Sequence, residues 1–312
     1  MGLIYSNIKS QESLGSTLTT IRDDLNVDFT AHIIRDEVFA LKDEATAATI
    51  QNLVDKITSV QLSTVSGQPE STIDADDLWE TAGYLGLWKY WSMLTNTDGI
   101  PHGFGLVYPL SPFPTDMTRN FGAPGGRLTQ WILNTAADVN QDFDGYTHDL
   151  TLEGVSVDLK GSPRGYMRTT QDAFTSGAVG STKDTEINGG KRLLAVKNFE
   201  TTNFDDLAAD AAFNVTGIRE QAIAFSDEIK FGPYTEARSW TTAKANRTEI
   251  STTAGAAESW GQTLSRDHFI ADFGWMNDAP ELGINITGQA VKIKTVAGVA
   301  SEATRVNPWY LV

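Results

Sequence analysis

The chain has 312 residues, a formal net charge of −16 at pH 7 and no cysteine. The lack of cysteine excludes disulfide bonds and thiol nucleophiles, and the acidic balance argues against direct binding to nucleic acid phosphates over most of the surface. No apolar run reaches the roughly 18 residues that predict a membrane-spanning helix, and the length allows two domains or one large β domain.

The first 30 residues are predicted to form an N-terminal arm. Four aliphatic residues, spaced by four, three and four positions, fall on one face of a helix: Leu14, Leu18, Ile21 and Leu25. Arg22, Asp23 and Asp24 lie outside that face. A short amphipathic arm of this kind could pack on its own domain, on a neighbouring molecule or on a surface beneath it.

Residues 31–160 are predicted to form a first β domain with an inserted helix. Acidic residues in the first turn favour a helix start at 74–79. We expect the helix to continue to Leu94 and to be buried on more than one side, because the segment is apolar nearly all round. Another domain or another subunit must therefore cover it, and three aromatic residues near its end are the candidates for a subunit interface: Trp88, Tyr90 and Trp91.

The stretch 145–159 is predicted to be the strand that closes this first domain, since apolar and polar residues alternate along it and the phase shifts at Gly154. The residues before it resemble the front half of a calcium loop, and the weak metal candidates there are Asn140, Asp142 and Asp144. Thr151 stands where such a loop needs its glutamate. The alternative is a plain Asp-Gly turn.

Residues 161–190 are rich in Gly, Ser, Thr and Lys and are interpreted as a linker and loop. Residues 191–312 are predicted to form a second β domain with a C-terminal tail. That tail is apolar and must dock on something. Its aromatic residues are therefore further interface candidates: Trp309 and Tyr310.

The two halves resemble each other, which indicates an internal duplication. Residues 38–42 (VFALK) are answered by 193–197 (LLAVK), 155 positions later. The alternating strand at 145–159 is similarly answered by one at 284–293. A period this long indicates a duplicated domain and not a solenoid repeat. The alternative is one large β-sandwich with ordinary strands.

No motif for catalysis or cofactor binding is found. The four histidines form no HExxH motif or other close pair, so a zinc site has no candidate ligand cluster. The sequence contains neither GxSxG nor GxxxxGK[ST]. The acidic cluster at 74–77 is interpreted as a helix start with a solvated face. We therefore predict no catalytic residues and no cofactor.

The order of these segments resembles the double-jelly-roll major capsid proteins of tailless icosahedral viruses with an internal membrane. The resemblance spans most of 30–312 and is carried by seven segments: 38–42, 57–62, 74–79, 145–159, 193–197, 217–231 and 283–293. It implies an all-β fold of two consecutive eight-stranded jelly-roll sandwiches with short helical insertions.

The same resemblance implies a structural virion protein and not an enzyme. Homotrimers of pseudo-hexagonal outline would tile an icosahedral capsid, with minor capsid or vertex proteins as further partners. The N-terminal arm would reach neighbours or the internal membrane, and the virion would be assembled in the host cytoplasm. No direct contact with nucleic acid is expected.

Two other functions remain open from the residues alone. A carbohydrate-binding or glycoside-cleaving β-sandwich would stay monomeric, and cleavage would need two carboxylates facing each other across a cleft. A surface-layer or receptor-binding spike subunit would oligomerise but would usually carry a secretion signal, which is not predicted here.

Overall fold

The chain folds into two compact units in a computed structural model. The first unit comprises the described residues up to Tyr166, and the second those from Met167 to Val312. None of the helices among the described residues is long and apolar enough to cross a membrane. The structure describes residues 2–13, 20–25, 31–41, 54, 57–64, 66–87, 89–92, 101–116, 130–135, 144–156, 165–201, 218–224, 228–232 and 268–312.

The described part of the first unit consists of strands and a helix, α1 (Ala75–Tyr84). Its strands are β1 (Gly2–Ser13), β2 (Thr20–Asp24), β3 (Ala31–Leu41), β4 (Ile57–Ser63), β5 (Pro69–Ile73), β6 (Lys89–Ser92), β7 (Pro101–Pro109), β8 (Gln130–Thr135) and β9 (Asp144–Ser156).

These strands form two antiparallel sheets, ordered β1-β9-β3-β7-β6 and β2-β8-β4-β5. The chain crosses repeatedly from one sheet to the other, and the last strand lies between the first and the third. This is the connectivity of a jelly roll, with β6 as an added edge strand.

The described part of the second unit contains strands and a short 3₁₀ turn at Pro280–Leu282. Its strands are β10 (Met167–Thr169), β11 (Asp172–Thr175), β12 (Thr182–Ile187), β13 (Arg192–Glu200), β14 (Ile218–Ala224), β15 (Glu228–Gly232), β16 (His268–Asp272), β17 (Ile284–Asn285), β18 (Val291–Ala297) and β19 (Ala303–Leu311).

The second unit repeats the topology of the first. One sheet has the order β10-β19-β13-β16, with β11 also beside β19 and the short β17 beside β13, and the other has the order β12-β18-β14-β15. If the extra strands β6, β11 and β17 are left out, eight described strands remain in each unit, and in chain order each strand of the second unit has the sheet position of its counterpart in the first. The structure thus confirms the predicted all-β fold of two consecutive jelly rolls.

The shared topology corrects one proposed correspondence between the halves. Residues 38–41 lie in β3, and residues 193–197 lie in β13. These two strands have equivalent positions in their sheets. The strand at 145–159, however, was matched to 284–293, which contains β17 and the start of β18. The true counterpart of β9 is β19, because each is the last strand of its roll. Alternation alone cannot distinguish neighbouring strands of one sandwich.

The core of the second roll contains residues from both of its sheets. Alternate residues of β18 are buried, as expected for a strand with one dry and one wet face. The cluster of buried side chains is Ile187, Leu193, Val196, Ile218, Ile223, Phe269, Ala271, Ile286, Val291, Ile293, Val306 and Tyr310.

The inserted helix is shorter than predicted. It begins after Asp74, carries Asp76 and Asp77 in its first turn, and ends at Tyr84 instead of Leu94. The chain then turns at Gly86, whose φ of 75° suits glycine and disfavours continuation of a helix. The following residues form the edge strand β6, paired with β7.

The prediction of an N-terminal amphipathic helix is wrong where the structure describes it. Residues 2–13 pair with β9, and 20–24 pair with β8. In β2 the side chains of Ile21 and Asp23 are buried while those of their neighbours are exposed. Leu25 is also buried, whereas Leu14 and Leu18 lie outside the described residues. The first 24 residues thus contribute two strands to the first roll.

The interpretation of 161–190 as linker and loop is also corrected. Strands β10, β11 and β12 lie within this segment and pair with β19 and β18. They are short and polar, and β11 and β12 are largely exposed. Edge strands of this kind have little apolar pattern for a sequence to display.

Removal of the last strand is predicted to unfold the second roll selectively. Deleting residues 303–312 takes away the strand that pairs with β10, with β11 and with one edge of β13, together with the buried Trp309 and Tyr310. Hydrogen exchange monitored by mass spectrometry should show loss of protection in β13. A chain lacking only Val312 is the control and should stay protected; equal protection in both chains would contradict the prediction.

Candidate functional site

The aromatic C-terminus lies inside the second roll and not on a surface. Trp309 and Tyr310 are 0% and 1% exposed within the single chain. The Trp309 ring lies against Trp275, with ring centroids 5.0 Å apart. Because neither side chain is available to another molecule, the prediction that they line a subunit interface is corrected. The tail docks on its own domain, as strand β19.

The turn that carries Trp275 is held by a single carboxylate. Asp272 accepts hydrogen bonds from the backbone N–H groups of Gly274 and Trp275 at 2.7 Å and of Met276 at 3.0 Å. A side chain at Gly274 would come within 2.5 Å of the Ala279 carbonyl oxygen. The close turn therefore requires glycine.

Of the other predicted interface and metal residues, three belong to strands and three lie outside the described residues. Tyr90 and Trp91 belong to strand β6, so they are not on a helix as expected. Asp144 begins strand β9. Trp88, Asn140 and Asp142 lie outside the described residues, so the interface and metal predictions for these positions stay predictions.

Buried hydrogen bonds connect the two sheets of the second roll. Asn198 of β13 and Gln221 of β14 exchange two side-chain hydrogen bonds, with donor–acceptor distances of 2.9 and 2.7 Å. Gln221 also donates to the Thr295 hydroxyl of β18 at 3.1 Å. Since both amides are fully buried, their mutual pairing offsets the cost of removing them from water.

The first roll is bridged in the same way by two other pairs. The indole N–H of Trp131 in β8 donates to the Asp36 carboxylate of β3 at 2.9 Å, and both side chains are buried. The hydroxyl of Tyr108 in β7 lies 2.9 Å from that of Ser71 in β5. Each roll thus contains directional contacts between sheets in addition to its apolar core.

Breaking the amide pair is predicted to destabilise the second roll. Gln221→Leu leaves the buried amide of Asn198 without its partner, which should cost about 1–3 kcal/mol in the free energy of unfolding measured with urea. The exposed neighbour change Arg219→Leu is the control, expected within about 0.5 kcal/mol of wild type. The double change Asn198→Leu with Gln221→Leu should cost less than the sum of the single changes; strict additivity would argue against the pairing.

A buried carboxyl group borders a cavity near this polar network. Glu200 at the end of β13 is 1% exposed and lines a cavity of about 360 Å³ that Thr295 and Thr304 also line. Burial raises the pKa of Glu200 to about 8, with the hydrogen bond from Thr304 lowering it and the nearby Glu302 raising it further. The group is therefore mostly neutral at pH 7.

The raised pKa of Glu200 is predicted to make the protein less stable as the pH rises from about 4 to about 8. Between the ordinary glutamate pKa near 4.3 and about 8, only the folded state keeps the proton. Stability should therefore fall as pH rises through this window and level off above it. Glu200→Gln should remove this contribution, giving a gain on the order of a few kcal/mol over wild type at pH 9 and little difference at pH 4.

Urea unfolding at pH 4, 7 and 9 measures this effect. Glu186→Gln, a change at an exposed carboxylate, is the control and should leave the wild-type pH dependence in place. If the free energies of unfolding of wild type and Glu200→Gln change with pH by the same amount, burial does not hold the proton on Glu200.

The exposed face of the β12-β18-β14-β15 sheet carries ion pairs. The nitrogen–oxygen distances are 3.4 Å for Lys292 with Asp184 and with Glu186, 2.7 Å for Lys294 with Glu228, and 2.9 Å for Lys230 with Glu220. The hydrogen bond from Lys294 lowers the pKa of Glu228. Such exposed pairs stabilise little. They make this face suited to water or to polar contacts and unsuited to an apolar interface.

Sequence reasoning missed Glu200 and Gln221, although a local signal for Glu200 exists. Val196, Asn198 and Glu200 alternate along β13, and alternation places them on one face of the strand. Val196 belongs to the core of the roll. A polar side chain in phase with core residues could therefore have been identified as buried.

Two consecutive jelly rolls with repeated topology define a double-jelly-roll protein, and solved structures of viral capsid proteins share this fold. The STIV major capsid protein matches with a TM-score of 0.64 at 10% identity, over 99% of this chain and 97% of that chain. A chain of Sulfolobus Turreted Icosahedral Virus matches with a TM-score of 0.61 at 8% identity, over 99% and 90% of the two chains.

The major capsid protein of bacteriophage PM2 matches with a TM-score of 0.55 at 11% identity, over 100% of this chain and 98% of that chain. No protein-family model and no curated protein sequence matches this chain. At these identities the likeness is one of fold, and at that level it confirms the resemblance to double-jelly-roll major capsid proteins.

Proposed function

We propose that this chain is a viral major capsid protein. The observation that carries the proposal is the extent of the match: both rolls align with capsid proteins over nearly the whole of each chain. The role is structural, and its place is the virion.

We further propose that the protein forms homotrimers of pseudo-hexagonal outline. Each chain supplies two rolls of the same topology, so three chains around a three-fold axis supply six similar units. Closed rotational symmetry is the usual arrangement of homo-oligomers. Six similar units give a nearly hexagonal outline, and hexagonal outlines tile the facets of an icosahedral shell without large gaps.

Further partners follow from this role. Minor capsid and vertex proteins would fill the positions that a hexagonal tile leaves open, and assembly would take place in the host cytoplasm. The net charge of −16 supports a capsid surface without direct nucleic acid contact. A membrane contact through an N-terminal arm loses its support, because residues 2–13 and 20–24 pair inside the first roll.

The oligomeric state tests the proposal. Size-exclusion chromatography with light scattering should give three times the 33.9 kDa mass of the chain, or larger assemblies, and negative-stain images should show particles with hexagonal outline. The charged face of the second roll offers a control: Lys292→Gln should not change the mass, since this residue is paired within its own chain. A monomer at high micromolar concentration would contradict the proposal and favour a monomeric β-sandwich.

A further inference from the structure

An asparagine–glycine pair lies in the loop that joins β12 to β13. Asn188 and Gly189 are the sole Asn-Gly pair in the sequence. The pairing of β12 with β18 ends at Ile187, and β13 begins at Arg192, so neither residue of the pair belongs to a sheet. Both residues are exposed. Water and hydroxide therefore reach this pair directly.

The two groups of this pair that can react with each other are not held by other contacts. The side-chain amide of Asn188 and the backbone N–H of Gly189 form no hydrogen bond with the residues that the structure describes. Gly189 has a φ of 84°, and a side chain built there would meet nothing within 4 Å. The Gly189 nitrogen can therefore approach Cγ of Asn188 without breaking a contact.

Two other exposed asparagines lack this combination. The side-chain oxygen of Asn285 accepts a hydrogen bond from the Thr287 N–H at 3.1 Å, and the next residue is the β-branched Ile286. Asn277 is followed by Asp278. A side chain on the following residue hinders the approach of its nitrogen to the asparagine, and glycine has none. The local structure and the sequence therefore both single out Asn188.

The residues that follow the pair are fixed to the last strand of the roll. The Lys191 N–H donates a hydrogen bond to the Leu311 carbonyl oxygen at 2.6 Å. A side chain at Gly190 would come within 2.8 Å of the Tyr310 ring, so this glycine packs closely on β19. A chemical change at 188–189 is therefore confined to the loop and leaves the start of β13 in place.

We propose that Asn188 is a site of spontaneous deamidation, with the chain supplying the nucleophile and water as the co-reactant. The Gly189 nitrogen gives its proton to hydroxide and forms a bond to Cγ of Asn188. The bond from Cγ to Nδ2 breaks, and the nitrogen leaves as ammonia after taking a proton from water, which restores the hydroxide. The product is a five-membered succinimide ring. The pair lies within the second roll, so the inference does not depend on the proposed capsid role.

Hydrolysis of the ring gives two products. Water that adds at Cγ gives aspartate at position 188. Water that adds at the backbone carbonyl carbon gives isoaspartate, in which the main chain runs through the former side chain. Each product adds one negative charge to a chain that already carries −16. The loop therefore becomes more acidic with time, without an enzyme or a cofactor.

Timed incubation of the full chain at 37 °C, at pH 6 and pH 8, tests the site. Peptide mapping by mass spectrometry should show a gain of about 1 Da at Asn188, the difference between an amide and a carboxyl group. The gain should be faster at pH 8, because hydroxide removes the Gly189 proton. In water enriched in oxygen-18, each event should add one heavy oxygen atom. An unchanged Asn188 after several weeks at pH 8, or a change no faster than at Asn277, would overturn the proposal.

A synthetic peptide of residues 185–192 shows whether the fold protects the pair. Since no contact among the described residues holds the two reacting groups, the folded chain and the peptide should react at rates within about threefold of each other. A folded chain that reacts far more slowly than the peptide would contradict the proposal.

Two glycine substitutions separate this reaction from general ageing of the chain. Gly189→Ala should slow the modification of Asn188 roughly tenfold, because the added methyl group hinders the attacking nitrogen. Gly180→Ala is the matched control and should leave the rate unchanged: its φ is 83°, an added side chain meets nothing within 4 Å, and no asparagine precedes it. Equal rates in wild type and Gly189→Ala would sink the assignment.

A second variant serves if Gly189→Ala does not fold. Asn188→Gln changes an exposed side chain and lengthens it, so the five-membered ring cannot form. This variant should lose the acidic form that ion-exchange chromatography detects in the aged wild type. Persistence of that acidic form in Asn188→Gln would place the reaction elsewhere and refute the proposal.

Discussion

Buried hydrogen bonds between facing sheets set the geometry of both rolls. An apolar core alone tolerates sliding of one sheet over the other, because hydrophobic contact has no direction. The reciprocal amide pair of Asn198 and Gln221 has a direction, and so does the bond from Trp131 to Asp36. Each would leave fully buried polar groups unpaired if the sheets shifted. The same contacts hold the strands around the Glu200 cavity in place, because Thr295 both accepts a hydrogen bond from Gln221 and lines the cavity.

Much of the fold could be predicted from strand alternation, but the N-terminal segment shows its limit. Residues four positions apart share a face both in a helix and in a strand, so Ile21 and Leu25 fit either structure. The residue that discriminates is Asp23. A strand turns it inward beside Ile21, and it is buried in the structure. Sequence reasoning placed it outside because, on a helix, position 23 lies off the face that carries the four aliphatic residues.

The candidate sites were less predictable, for a related reason. The apolar C-terminus was expected to need a partner, and its partner is the body of its own roll, where Trp309 lies against Trp275. The sequence pattern shows that an apolar surface must be covered, but it does not show whether the same domain or another molecule covers it. Alternation along β13 could have indicated that Glu200 is buried, but the raised pKa that follows from its burial is seen only in the three-dimensional packing. The repeated topology, in contrast, was visible in the matching segments at 38–42 and 193–197.

The interior position of β9 and β19 also has a consequence for synthesis on the ribosome. The first roll receives its last strand, β9, before the second roll is made, whereas β13 lacks its neighbour β19 until residues 303–311 have been made. Domains generally fold as units during synthesis, with the N-terminal one first. The nascent protein therefore matures in two stages. Until β19 is made, the second half exposes open sheet edges beside β10 and β13, and such edges are templates for pairing with other strands.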